Sequence, residues 1–173
     1  VFLDFDGVVN SAKTWGYVPP RLPFDDHLCR RVGKLVMRTG AYVVASTAWR
    51  TFREFDEALK TVFAKAGIPM NRYIGKTPVL YSNQLTEQVP RAAEVQAWLT
   101  TQQQRGVPVE AYVILDDMEH FGGMHHVWCD PDYGFTEGNL AAAVKILGGT
   151  LDTRSQPNAP APARAGRRTP RTR

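Results

Sequence analysis

Residues 1–10 read VFLDFDGVVN. Val1, Phe2 and Leu3 make an apolar run fit for a buried strand, and the run ends on two aspartates one residue apart, Asp4 and Asp6, just before Gly7. Continuous rather than alternating hydrophobicity marks a strand covered on both faces, as in a parallel sheet flanked by helices. Ligands of such sheets bind outside the carboxyl ends of the strands. Asp4 and Asp6 therefore stand where a site belongs. The chain starts with Val in the middle of this run, so a few residues are expected to precede it.

The rest of the chain repeats the pattern. AYVVAS (41–46), AYVILDD (111–117) and the shorter HHVWC (125–129) read as further strands. Helical spacing sets Leu28, Val32, Leu35 and Val36 on one face of residues 24–40, with Asp25 or Asp26 as N-cap and Gly40 as terminator. It does the same for Phe52, Phe55, Leu59, Val62 and Phe63 in residues 51–67, which stop at Gly67. RAAEVQAWLTTQQQ (91–104) follows Pro90 as a third helix, and residues 136–149 form a fourth, capped by Thr136 and ended by a Gly-Gly pair. The expected fold is α/β, a Rossmann-like three-layer sandwich around a mainly parallel sheet. Residues 10–23 and 68–90 read as two long connections, and neither has room for a large cap domain.

Length and charge divide the chain. Its 173 residues suit one domain, placed at residues 1–150. Residues 152–173 carry six Arg against one Asp, whereas residues 1–151 carry 15 basic and 16 acidic residues. The basic character thus belongs to a Pro-, Ala- and Arg-rich tail, 151–173, expected to be disordered. No aromatic residue interleaves those arginines, as a single-strand binder would want, so a solvated terminus is the favoured reading of the tail. No apolar stretch is long enough to span a membrane, and no secretory leader is visible. Cys29 and Cys129 belong to no CxxC pair, which argues against zinc and for buried free thiols in a reducing cytoplasm.

The strand ends converge chemically. Asp4 and Asp6 end the first strand, Ser46 and Thr47 the second, Asp116 and Asp117 the third. Carboxylates gathered on one sheet edge repel one another unless a counter-charge joins them, and oxygen-only donors favour Mg²⁺. The neighbouring His125 and His126 are poor ligand candidates, because adjacent strand residues face opposite ways.

LDFDGVV, VVASTAW and YVILDD, in that order, resemble the first, second and fourth motifs of the haloacid dehalogenase-like (HAD) phosphohydrolases. STAWR, RAAEVQAWL, YVILDD and GFTEGNLAAA resemble more closely the small HAD domain of "Swiss Army Knife" RNA-repair proteins. The resemblance implies a Mg²⁺-dependent phosphatase working through an aspartyl-phosphate. Asp4 would be the nucleophile and Asp6 the general acid and base. The metal would be held by the Asp4 carboxylate, the Asp6 main-chain carbonyl and Asp116, with Asp117 close by. Thr47 would bind a phosphoryl oxygen, with Ser46 as the competing assignment. Arg91, at the start of the third helix, would supply the basic residue of the third motif. A cation there opposes the helix dipole, which favours a functional role; Lys76 in IGKTP is the rival. Trp15, Tyr17 and Arg21 follow the nucleophile and could stack on a base or sugar. Arg50 either pairs with a nearby acid or touches substrate, and Trp49 is read as packing.

Without a cap the site should be open, which suits large substrates. The resemblance points to nucleotides or polynucleotide ends, with small metabolites as the alternative substrate class. A non-catalytic binding domain of the same fold is the reading from a different class. Retention of Asp4, Asp6, Thr47, Asp116 and Asp117 speaks against it.

Overall fold

The computed structural model describes residues 1–14, 24–81 and 90–149. The chain runs β1 (Phe2–Leu3), α1 (Asp26–Thr39), β2 (Val43–Ala45), α2 (Phe55–Ala66), β3 (Tyr73–Lys76), α3 (Arg91–Gln104), β4 (Ile114–Asp116), β5 (His126–Trp128) and α4 (Glu137–Ile146). The five strands form one sheet in the order β3-β2-β1-β4-β5, and every pairing is parallel.

Register divides the sheet into two faces. Phe2, Val44 and Ile114 are partners across β1, β2 and β4, and they share an apolar cluster with Val95 of α3. Leu3, Ala45 and Leu115 are the next row. They pack on the other side against Val32 and Val36 of α1, Val62 and Phe63 of α2, and Leu140 and Val144 of α4. Three helices thus cover one face and α3 the other. Right-handed crossovers account for this: β1→β2→β3 steps one way along the sheet, β3→β4 steps back past β1, and the reversal moves the connecting helix across. The reversal also makes the ends of β1 and β4 the switch point of the sheet.

Local chemistry fixes the helix ends. Asp25 caps α1 by accepting from His27 and Leu28, and Gly40 and Gly67 end α1 and α2 in the left-handed conformation. Thr136 and Asn139 form a capping box on α4. Gly33 is where α1 meets α2, since a Cβ there would fall 1.8 Å from the Ala66 carbonyl oxygen.

Two expectations need correction. Residues 68–90 are not one long connection, because β3 lies inside them on the edge of the sheet, half exposed and offset from β2 by an irregularity at Val43/Val44. Phe52 does not join the apolar face of α2. The residues Ala48–Thr51 form a separate 3₁₀ turn, and Phe52 is exposed beyond it. Both cysteines are buried and unpaired, as expected. Residues 150–173 lie outside the described residues.

Candidate active site

The row that follows Phe2, Val44 and Ile114 on the α3 face is polar. Side chains two apart on a strand share a face, so this row holds Asp4, Ser46 and Asp116. Backbone pairing continues that far: Asp4 N–H donates to Leu115 O (3.0 Å), Ser46 N–H to Leu3 O (2.9 Å) and Thr77 N–H to Ala45 O (3.0 Å). Thr77 extends the row, and all four residues are buried. Arg91, the first residue of α3, reaches into the row. Its Nη1 donates to Asp4 Oδ2 and, at 2.7 Å, to Asp116 Oδ2.

After Asp4 the chain turns sharply. Phe5 N–H donates to Asp4 Oδ1 at 2.7 Å, and Gly7 adopts φ 69°. A Cβ on Gly7 would meet the Asp117 side chain at 2.5 Å, so the absence of a side chain lets Asp117 lie against the turn. Asp4, Asp116 and Asp117 each offer a carboxylate oxygen within 4.8 Å of the others.

The Asp6 carboxylate has partners of its own. Its Oδ1 accepts from Asn10 Nδ2 and its Oδ2 from the Trp49 indole Nε1, both at 2.9 Å. Asn10 Oδ1 in turn accepts from Gly7 N–H (2.8 Å), which closes the turn. The Asp6 side chain is therefore not part of the three-carboxylate cluster, and of the four acids expected at the metal it could serve only through its main-chain carbonyl.

The remaining predicted residues separate by position. Ser46 Oγ is buried with no hydrogen-bond partner, whereas Thr47 Oγ1 accepts from Trp49 N–H at 3.3 Å and caps the 3₁₀ turn. Lys76 is the register partner of Ala45 and so belongs to the opposite face. Its ammonium lies 5.1 Å from the centre of the Phe55 ring and donates to the Arg50 carbonyl. Between the two rivals, Arg91 is the basic residue at the carboxylates. Arg50 is buried in an ion pair with Glu94, which takes its guanidinium out of reach of a substrate. His126 contacts the Asp116 carbonyl and His125 packs edge-on to Tyr112, so neither joins the cluster. Trp15, Tyr17 and Arg21 lie outside the described residues. Sequence reasoning missed Asn10, the polar role of Trp49, and Glu94. Of these, only Trp49 and Asn10 flank recognised motifs, and nothing in their spacing names Asp6 as the partner.

Electrostatics define what the cluster lacks. Burial, followed by the neighbouring Asp116, raises the Asp4 pKa to about 7 against the pull of Arg91. Burial raises Asp116 as well, and burial with Asp116 raises Asp117. Burial opposes the charge on Arg91, but Asp4 and Asp116 outweigh it and raise its pKa. Among the described residues one guanidinium, that of Arg91, faces three carboxylates, and unpaired buried charge is costly. The oxygen-only donor set of Asp4, Asp116 and Asp117 fits a hard divalent cation such as Mg²⁺.

Among the described residues no helix is long and apolar enough to cross a membrane. A family model described as the HAD domain in Swiss Army Knife RNA repair proteins matches residues 1–140. No curated protein and no solved structure matches the chain.

Proposed function

The chain belongs to the family of HAD domains found in Swiss Army Knife RNA repair proteins, and from that premise we propose that it is a Mg²⁺-dependent phosphatase acting on nucleotides or polynucleotide-end phosphates. The observation that carries the reading is Arg91 shared between Asp4 and Asp116, with Asp117 completing a three-carboxylate cluster at the switch point of the sheet. A carboxylate held rigidly at the end of the central strand suits attack on phosphorus. Arg91 beside it is placed to pair with a phosphoryl oxygen. Asp4, Asp116 and Asp117 would hold the cation, which when bound offsets the negative charge shared by the carboxylates and the phosphate.

Asp4 Oδ attacks phosphorus while the bond from phosphorus to the leaving oxygen breaks. The electron pair goes to that oxygen, and Asp6 gives it a proton. Water then attacks the phosphoryl group, Asp6 takes the proton back, and the Asp4 carboxylate and phosphate are released. Ser46 is favoured over Thr47 for binding a phosphoryl oxygen. It stands in the row of Asp4 with a free hydroxyl, whereas Thr47 already caps a turn.

The test is a substrate panel with Mg²⁺: 3′- and 5′-phosphorylated oligonucleotides, mononucleotides, sugar phosphates and p-nitrophenyl phosphate. Turnover is expected, with preference for the nucleotide members, and Asp4→Asn is expected to abolish it in a folded protein. Near wild-type activity in that variant, or no turnover of any member by the wild type, would sink the reading.

A further inference from the structure

We propose that Trp49 is the positioning residue for Asp6, holding its carboxyl where it can exchange a proton with the leaving oxygen and then with water. The inference rests on the phosphatase reading. It begins from the two hydrogen bonds that pin Asp6, one on each oxygen: Asn10 Nδ2 on Oδ1 and Trp49 Nε1 on Oδ2. A carboxylate tied at both oxygens has its plane fixed, yet each oxygen keeps a further lone-pair site. That is what an acid–base group needs: a set direction and an open position.

The sequence builds this clamp from two elements. Asn10 comes from the turn after β1 and is itself locked by Gly7 N–H. Trp49 comes from the 3₁₀ turn Ala48–Thr51 after β2, held by Thr47 Oγ1 on its backbone N–H. Its ring packs near Phe24, Phe52 and Phe5, with centroids 5.4, 6.2 and 6.4 Å away. These ring contacts and the hydrogen bond to Asp6 Oδ2 together orient the indole N–H. The second strand end thereby directs the acid–base group of the first. A packing role would need the ring but not the nitrogen, and that difference makes the idea testable.

The step that Asp6 serves supplies the readout. When the leaving group is an alkoxide, departure needs a proton. When it is p-nitrophenolate, departure does not. Trp49→Phe keeps an aromatic ring and removes the N–H. Its kcat/KM, measured with Mg²⁺ on a nucleoside 5′-monophosphate and a 3′-phosphorylated oligonucleotide, is expected to fall about tenfold, part of the 10²–10⁴-fold that a positioned acid provides. On p-nitrophenyl phosphate it is expected to change less than twofold. In an Asp6→Asn background the alkyl-ester loss is expected to vanish. Equal loss on both ester types, persistence of the loss beside Asp6→Asn, or unchanged kinetics on all esters would each overturn the proposal. If Trp49→Phe does not fold, replacement of Trp49 by benzothienylalanine keeps the ring shape without the N–H and allows the same comparison. A wild type inactive on every ester refutes the phosphatase reading and takes this inference with it. Given an active wild type, the comparison addresses Trp49 alone.

Discussion

Arg50 and Glu94 form an ion pair in which each side chain is only 1% exposed. The pair ties three segments together. Arg50 donates to the Thr47 and Pro78 carbonyls, and Glu94 Oε1 accepts from Leu80 N–H at 3.2 Å. Glu94 also lies one turn beyond Arg91 on α3, so the pair braces the helix end that carries Arg91 to the carboxylates. Glu94→Gln leaves a buried guanidinium uncompensated, which costs about 3–5 kcal/mol. At about 2–4 °C per kcal/mol for a domain of this size, the melting temperature is expected to drop by about 6–20 °C. Replacing both partners by apolar residues, Arg50→Met with Glu94→Leu, is expected to recover most of it. A Glu94→Gln protein that melts with the wild type would refute the brace.

The sequence showed the site's poles and hid its supports. β1, β2 and β4 were legible because central parallel strands are apolar on both faces, and each ends abruptly on polar or acidic residues. β3 was not, because Tyr73–Lys76 is a half-exposed edge strand broken by Gly75, and neither apolar run nor alternation marks it. Arg91 could be suspected from its unfavourable place at a helix start. Nothing in the sequence marks Glu94, and only the fold brings Arg50 to it from 44 positions away. Asp6 was read for its role, but the donor that fixes its carboxyl stands 43 positions on and carries no mark in the sequence.

Gly7 should be less replaceable than its backbone angle alone requires. An L-residue at φ 69° costs roughly 1–2 kcal/mol. A Cβ at Gly7 would also press on Asp117 Cβ at 2.6 Å, which a side-chain rotation cannot relieve. Gly122, at φ 57° with open space around it, pays only the first cost. Gly122→Ala is expected to lose about 1 kcal/mol and keep full activity. Gly7→Ala is expected to lose more and to weaken Mg²⁺ binding severalfold. Urea unfolding and a Mg²⁺ titration of the two variants check this, and matching behaviour would remove Asp117 from the explanation.

Arg91 offers one Nη1 to two carboxylates, so charge and shape can be tested separately. Arg91→Ala removes the only cation described at the cluster and is expected to lower kcat/KM by about 10²–10³, the usual loss for a donor aimed at developing charge. Arg91→Lys keeps the charge without the planar fork and is expected to restore part of the rate. Steady-state kinetics on one good substrate decide it. An Arg91→Ala enzyme within a factor of two of wild type would move the phosphoryl-binding role elsewhere.

The raised Asp4 pKa makes metal-free stability fall as pH rises. Unfolded, Asp4 ionises near its ordinary 3.8, whereas folded it holds its proton to about 7. Below about pH 4 both states are protonated and the group is neutral in the balance. Between 4 and 7 the folded state binds the extra proton, so each step up in pH favours unfolding, and above 7 the loss is complete. Other acids titrate in the same range, so the clean quantity is a difference. In chelator, Asp4→Asn, which cannot ionise, is expected to gain on the wild type by on the order of 4 kcal/mol between pH 4 and pH 8. Adding Mg²⁺ at pH 8 is expected to stabilise the wild type, whose ionised Asp4 can then pair with the cation, and to stabilise Asp4→Asn much less. Chemical denaturation at several pH values, with and without Mg²⁺, measures both effects. A stability difference independent of pH in chelator would mean that Asp4 is ionised throughout and that Arg91 alone meets its charge.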